Sequence, residues 1–136
     1  MSAAGLVGDV LLVEDDRVLA EMYQIRLEAA GHNVRIAGNG PTGLQEALER
    51  PPQVLLLDIR LPGFDGLELL ARLREDARGA RLPVIVLSNY CESDMVRQST
   101  RLGALAHLVK SQTTPRSLLE TVELLLAGRL AGLAGT

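Results

Sequence analysis

Three short runs constrain this chain more than anything else in it: VLLV (10–13), VLLL (54–57) and PVIVL (83–87). Each is apolar at every position. A strand with one face in water alternates apolar and polar residues, so an unbroken run asks to be covered on both faces. Between these runs the apolar residues fall at helical spacing. The chain therefore reads as strand segments at 9–14, 33–37, 53–58, 82–88 and 106–109, alternating with helical segments at 16–30, 41–50, 65–77, 92–102 and one opening at Thr114-Pro115. Such alternation implies a parallel sheet with helices on both faces.

Local signals place the ends and faces of these segments. Gly31 follows the first helix where a C′ glycine belongs, and Pro51-Pro52 stops the second. Thr114 and Pro115 suit the N-cap and first turn of the last helix. Val18, Met22, Ile25 and Ala29 are expected to form the buried face of the first helix. Leu67, Leu70 and Leu73 are expected inward on the third, and Leu118, Val122 and Leu125 on the fifth. NVRIA (33–37) alternates and AHLV (106–109) is short, so both suit sheet edges. A strand order 2-1-3-4-5 puts them there.

Composition narrows the function classes. The 136 residues are 47% hydrophobic and 23% charged, as in an ordinary globular domain rather than a disordered chain. With 17 acidic against 14 basic side chains the net charge is -3, which argues against direct nucleic-acid binding. One cysteine, Cys91, excludes an intramolecular disulfide and reads as a small helix-start or core residue. No run approaches the ~18 apolar residues of a membrane span, and MSAAGLVGD lacks the pattern of a secretory signal. A cytoplasmic protein without membrane insertion is the expectation.

In open parallel sheets the site lies beyond the carboxyl ends of the strands. Here those ends carry Glu14-Asp15-Asp16, Asp58, Ser88 and Lys110. Clustered carboxylates repel, by about 4 kcal/mol at ~4 Å and an effective dielectric near 20. Oxygen ligands of this kind suit a hard cation such as Mg2+ or Mn2+. A lysine and a hydroxyl beside them fit a carboxylate that accepts a phosphoryl group. Asp16 is better read as the cap of the first helix. The first turn, VEDDRV, has no glycine pattern for a dinucleotide.

These residues resemble the receiver domain of two-component response regulators. The matching pieces are LLVEDD (11–16), LLLDIRLPGFDGLELL (55–70), PVIVLS (83–88) and LVK (108–110). The resemblance covers roughly residues 8–127, with 1–7 an N-terminal extension and 128–136 a flexible tail. It implies a flavodoxin-like, doubly wound (βα)5 sheet and no enzyme activity beyond self-phosphorylation and slow autodephosphorylation. It makes Asp58 the phosphoacceptor, with Lys110 and Ser88 as its catalytic partners. Glu14, Asp15, Asp58 and the Arg60 backbone carbonyl become the metal ligands, and Pro62-Gly63 and Gly66 shape the loop after Asp58. The implied phosphodonor is a sensor histidine kinase or a histidine phosphotransfer protein in a phosphorelay. The implied output is a downstream protein reading the face of the fourth helix, fifth strand and fifth helix.

The chain departs from the family pattern at three places. His107 stands where family members usually carry the switching Tyr or Phe. Ser111 replaces the proline that usually follows the lysine. Asn89 and Tyr90 follow Ser88 where small residues are common. Ser88 and His107 are thus the expected switch, and Arg60, Asn89 and Tyr90 are expected to tune the phosphoryl lifetime. Two alternatives stand beside this reading. One is a receiver-like interaction module that needs no phosphorylation. The other is a haloacid dehalogenase-type phosphatase, which wants Asp rather than Arg60 two residues after the nucleophile. A domain acting alone through partners is expected, with a piece of a longer regulator as the other possibility.

Overall fold

The computed structural model describes residues 7–89 and 93–128. Strands β1 (Asp9–Val13), β2 (Asn33–Ala37), β3 (Val54–Asp58), β4 (Val84–Ser88) and β5 (Ala106–Val109) alternate with helices α1 (Arg17–Ala29), α2 (Gly40–Glu49), α3 (Gly66–Glu75), α4 (Ser93–Arg101) and α5 (Pro115–Leu126). All strand pairs are parallel, in the order β2-β1-β3-β4-β5. The doubly wound flavodoxin-like sheet expected from the sequence is the one formed, with NVRIA and AHLV at its edges. Expectations for residues 1–6, Tyr90, Cys91 and the tail beyond Gly128 lie outside the described residues.

The apolar runs explain the layers. Side chains alternate across a strand. Val10, Leu12, Val54, Leu56, Ile85 and Leu87 pack with α1 and α5 on one face. Leu11, Val13, Leu55, Leu57, Val84 and Val86 pack with α2 and α3 on the other. All twelve are fully buried, and each such side chain contributes about 2 kcal/mol. The result is a rigid central sheet whose C-terminal ends are fixed posts.

Side-chain caps fix where the helices start. The Asp16 carboxylate accepts from the Leu19 N–H at 3.1 Å, as expected for that residue. Asn39 and Asp65 cap α2 and α3 in the same way. Thr114 and Ser117 form a reciprocal capping box on α5, with Pro115 in its first turn. Leu118, Val122 and Leu125 are buried on α5 as expected. On α3, Leu70 and Leu73 are fully buried, but Leu69 joins them while Leu67 is only partly covered.

The expected inner face of α1 is wrong. Val18 and Ile25 are each 70% exposed and Met22 is 48% exposed, and Ala29 is exposed as well. The buried stripe is Ala20, Tyr23 and Leu27. At about 3.6 residues per turn the two stripes lie on opposite sides of the helix. Both are apolar, so periodicity cannot choose between them. Packing chooses: α1 lies against β2 and α5, and small Ala20 beside broad Tyr23 fits that space. Among the described residues no helix is long and apolar enough to cross a membrane.

Candidate functional site

Parallel pairing brings the expected residues to one rim. Asp58 ends β3 and Ser88 ends β4, where Ser88 pairs with Val109 and so sits beside Lys110. Glu14 follows β1, anchored by its N–H donating to the Ala37 carbonyl at 2.9 Å. Glu14, Asp58 and Ser88 are buried while Asp15 is exposed at the edge.

The loop after Asp58 is built for close approach. A Cβ on Gly66 would sit 2.3 Å from the Asp58 carbonyl oxygen, so only glycine admits the Gly66 N–H to the Ile59 carbonyl at 2.7 Å. Gly63 adopts φ 84°, a left-handed conformation that glycine takes without strain. The loop thus folds back tightly and presents the Arg60 N–H to Asp58 Oδ1 at 3.2 Å.

Lys110 ties the cluster together. Its side chain is 11% exposed; Nζ donates to Asp58 Oδ2 at 2.9 Å and lies 2.6 Å from Glu14 Oε1. The Glu14 contact is ionic rather than directional, because buried Oε1 has no well-aligned hydrogen bond among the described residues. Glu14 Oε2 accepts from the Asp16 N–H at 3.1 Å. Burial raises the Glu14 pKa to about 7; Lys110 and the Asp16 amide only partly offset it, and the Asp58 charge adds to the rise. Burial opposes the Lys110 charge, but the close Glu14 and Asp58 carboxylates outweigh it and hold its pKa above the ordinary value.

One oxygen from each of Glu14, Asp15 and Asp58 lies within 4.8 Å of the other two. Hard oxygen donors at this separation, one of them buried without an aligned donor, fit a divalent cation. A cleft of about 570 Å3 opens beside them, lined by Asp15, Arg60, Pro62, Asp65 and Met95. Met95 was not legible in the sequence: it comes from α4, and the Ser88 hydroxyl donates to its sulfur at 3.9 Å. Asp65 carries a visible cap signal, but nothing in the sequence places it on the cleft wall.

The remaining expected residues flank this centre. Asn89 is exposed directly after Ser88. His107 pairs with Val86 across β4 and β5 and is half-buried. Both its ring nitrogens are buried without a partner among the described residues, and burial pushes its pKa down. Lys110 itself opens a short 3-10 turn, Lys110–Gln112, in which Ser111 lies.

A family model described as "Response regulator receiver domain" matches residues 10–123. The chain is 33% identical over 101 residues to sporulation initiation phosphotransferase F of Bacillus subtilis, covering 74% of this chain and 80% of that protein. It superimposes on a CheY-like response regulator receiver domain protein from Methanospirillum hungatei with a TM-score of 0.83 and 28% identity, over 90% of this chain and 96% of that one. The Mn2+-bound form of response regulator Rcp1 matches with a TM-score of 0.74 and 29% identity, over 86% and 92% of the two chains. Several curated relatives are transcriptional regulators, and the matched part spans about a third to a half of their length.

Proposed function

The chain belongs to the response regulator receiver domain family, and from that membership we propose that it accepts a phosphoryl group on Asp58. The observation that carries the reading is the seat of Asp58: at the end of a buried central strand, 2.9 Å from the Lys110 ammonium, inside a metal-capable carboxylate cluster. The phosphodonor is a phosphohistidine on a sensor kinase or a histidine phosphotransfer protein. An Asp58 oxygen attacks phosphorus, the P–N bond breaks, and the electron pair returns to the donor imidazole, which takes up a proton from solvent. Lys110 already holds an Asp58 oxygen, so its charge can follow the negative charge onto the phosphoryl oxygens. Slow hydrolysis of the aspartyl phosphate returns the carboxylate.

Glu14, Asp15, Asp58 and the Arg60 carbonyl would hold Mg2+ or Mn2+, which when bound neutralises charge on the transferring group. Ser88, whose hydroxyl donates to Met95, would donate to the new phosphoryl group, and His107 would respond through β5. These shifts would alter the α4-β5-α5 face that a downstream partner reads. The donor needs a different surface, beside the rim. The exposed Val18, Met22 and Ile25 stripe of α1, the helix that follows Asp15 in the chain, suits a helix of the donor. The setting we propose is cytoplasmic, with the domain acting through partners rather than on nucleic acid. The phosphatase alternative lacks its second acid, because Arg60 stands at that position.

Incubation with Mg2+ and phosphoramidate or acetyl phosphate tests the reading. Intact mass should rise by one phosphoryl group, and Asp58→Asn should abolish the gain. No gain in the unaltered protein would leave the phosphorylation-independent module as the better account.

A further inference from the structure

The end of the sheet opposite Asp58 carries the reverse charge. A cavity of about 390 Å3 lies there, against the loops that enter β4 and β5. Arg74 of α3, Arg81 of the α3–β4 loop and Arg101 at the end of α4 line it, and no acidic side chain does among the described residues. The chain as a whole is acidic, with 17 acids against 14 bases. Arg17, Arg35, Arg72, Arg78, Arg97 and Arg116 each pair with a carboxylate. None of the three cavity arginines has a carboxylate partner among the described residues. Convergence of three such cations is therefore not a general excess of base.

Arg74 is fixed before any ligand arrives. Its Nε donates to the Leu102 carbonyl at 2.6 Å, and Nη1 to the Gly79 and Leu82 carbonyls at 2.8 Å each. Nη2 makes only a long, exposed 3.4 Å contact with the Gly103 carbonyl. The guanidinium is immobilised by neutral partners, so its charge is held in place and not cancelled. Burial accordingly lowers its pKa. A preorganised guanidinium loses little freedom on binding an anion, and Nη2, the one nitrogen not committed to a short bond, is left to donate to a phosphate oxygen. The rest of the wall is apolar: Leu82, Pro83, Leu102 and Leu105.

We propose that this cavity binds an organic phosphate, with its anionic end on Arg74, Arg81 and Arg101 and its apolar body against Leu82, Pro83 and Leu105. The volume lies within the range of small-ligand sites. Convergent charge calls for a ligand carrying more than one negative charge, and the apolar wall calls for more than a bare ion. A nucleoside diphosphate has both features. Arg101 ends α4, a helix in which only Ser99 is fully buried, so a bound ligand would tether that helix to α3 and the β4 loop. The proposal stands apart from the phosphoacceptor reading, since it uses none of the residues around Asp58.

Titration of the full chain with ADP in EDTA, followed by calorimetry and amide NMR, tests it. The expected result is saturable binding that shifts the amides of 79–82 and 101–105, with adenosine inert and pyrophosphate weaker. Arg81→Ala with Arg101→Ala should stay folded, since both side chains are exposed, and should bind ADP at least about tenfold more weakly. Asp58→Asn should bind ADP unchanged. Absence of binding at about 10 mM ADP, or binding untouched by the double substitution, would overturn the site. Pyrophosphate binding as tightly as ADP would overturn the organic ligand, and loss of binding in Asp58→Asn would overturn the location.

Discussion

Single residues show where this fold is under local tension. Tyr23 is 1% exposed, its hydroxyl has no partner among the described residues, and burial raises its pKa. The ring fills the space between α1 and the sheet, while the oxygen is desolvated without return. Tyr23→Phe keeps the ring and removes the oxygen, so urea denaturation should show a gain of about 1 kcal/mol. A clear loss would mean that the hydroxyl has a partner after all. Asn89 belongs to the same scale. It is exposed immediately after Ser88, at the mouth of the site. Asn89→Ala should change the dephosphorylation rate of the phosphorylated protein by severalfold while leaving the melting temperature within about 2 °C. An unaltered rate would remove Asn89 from the phosphoryl environment.

At the scale of elements, α1 is the informative helix because it is apolar on two sides. Ala20, Tyr23 and Leu27 bind it to the sheet, and Val18, Met22 and Ile25 face outward. An exposed apolar stripe contributes little to folding, so its substitution should separate docking from stability. Ile25→Glu should leave the unfolding free energy within about 0.5 kcal/mol. It should slow transfer from a phosphohistidine protein about tenfold or more and leave phosphorylation by phosphoramidate unaltered. Equal slowing with both donors would place the defect in the site instead of the docking surface.

For the whole molecule, the buried acid behind the site couples protons to stability and would couple both to a bound metal. The Glu14 pKa rises from 4.5 to about 7, chiefly through burial. Below 4.5 the group is protonated in both the folded and unfolded chain, and its burial costs nothing in charge. Between 4.5 and 7 the unfolded chain ionises while the folded one keeps its proton, so this group's contribution to stability is lost as pH rises. A divalent cation needs the ionised form. Its affinity should therefore increase about tenfold between pH 6 and pH 8, with proton release on binding. Mg2+ titration calorimetry in buffers of different ionisation enthalpy measures both. Glu14→Gln should flatten the pH dependence, and a steep dependence in that variant would assign the proton elsewhere.

The sheet and the inventory of its C-terminal rim follow from local pattern along the chain. Short unbroken runs such as VLLL, bounded by turn residues, read as central strands, alternation with helices makes them parallel, and parallel strands deliver Glu14, Asp58, Ser88 and Lys110 to one end. Asp16, Thr114 and Pro115 were legible because caps are local chemistry. Tertiary structure decided what depends on two elements meeting. It chose the Tyr23 stripe of α1 over the equally apolar Ile25 stripe, because only packing against β2 and α5 distinguishes them. It put Met95 on Ser88 and gathered Arg74, Arg81 and Arg101 around one cavity, although no periodicity or motif links these positions. Periodicity and capping act over a few residues along the chain; contacts between helices are set by the shape of the space left when the sheet closes over its core.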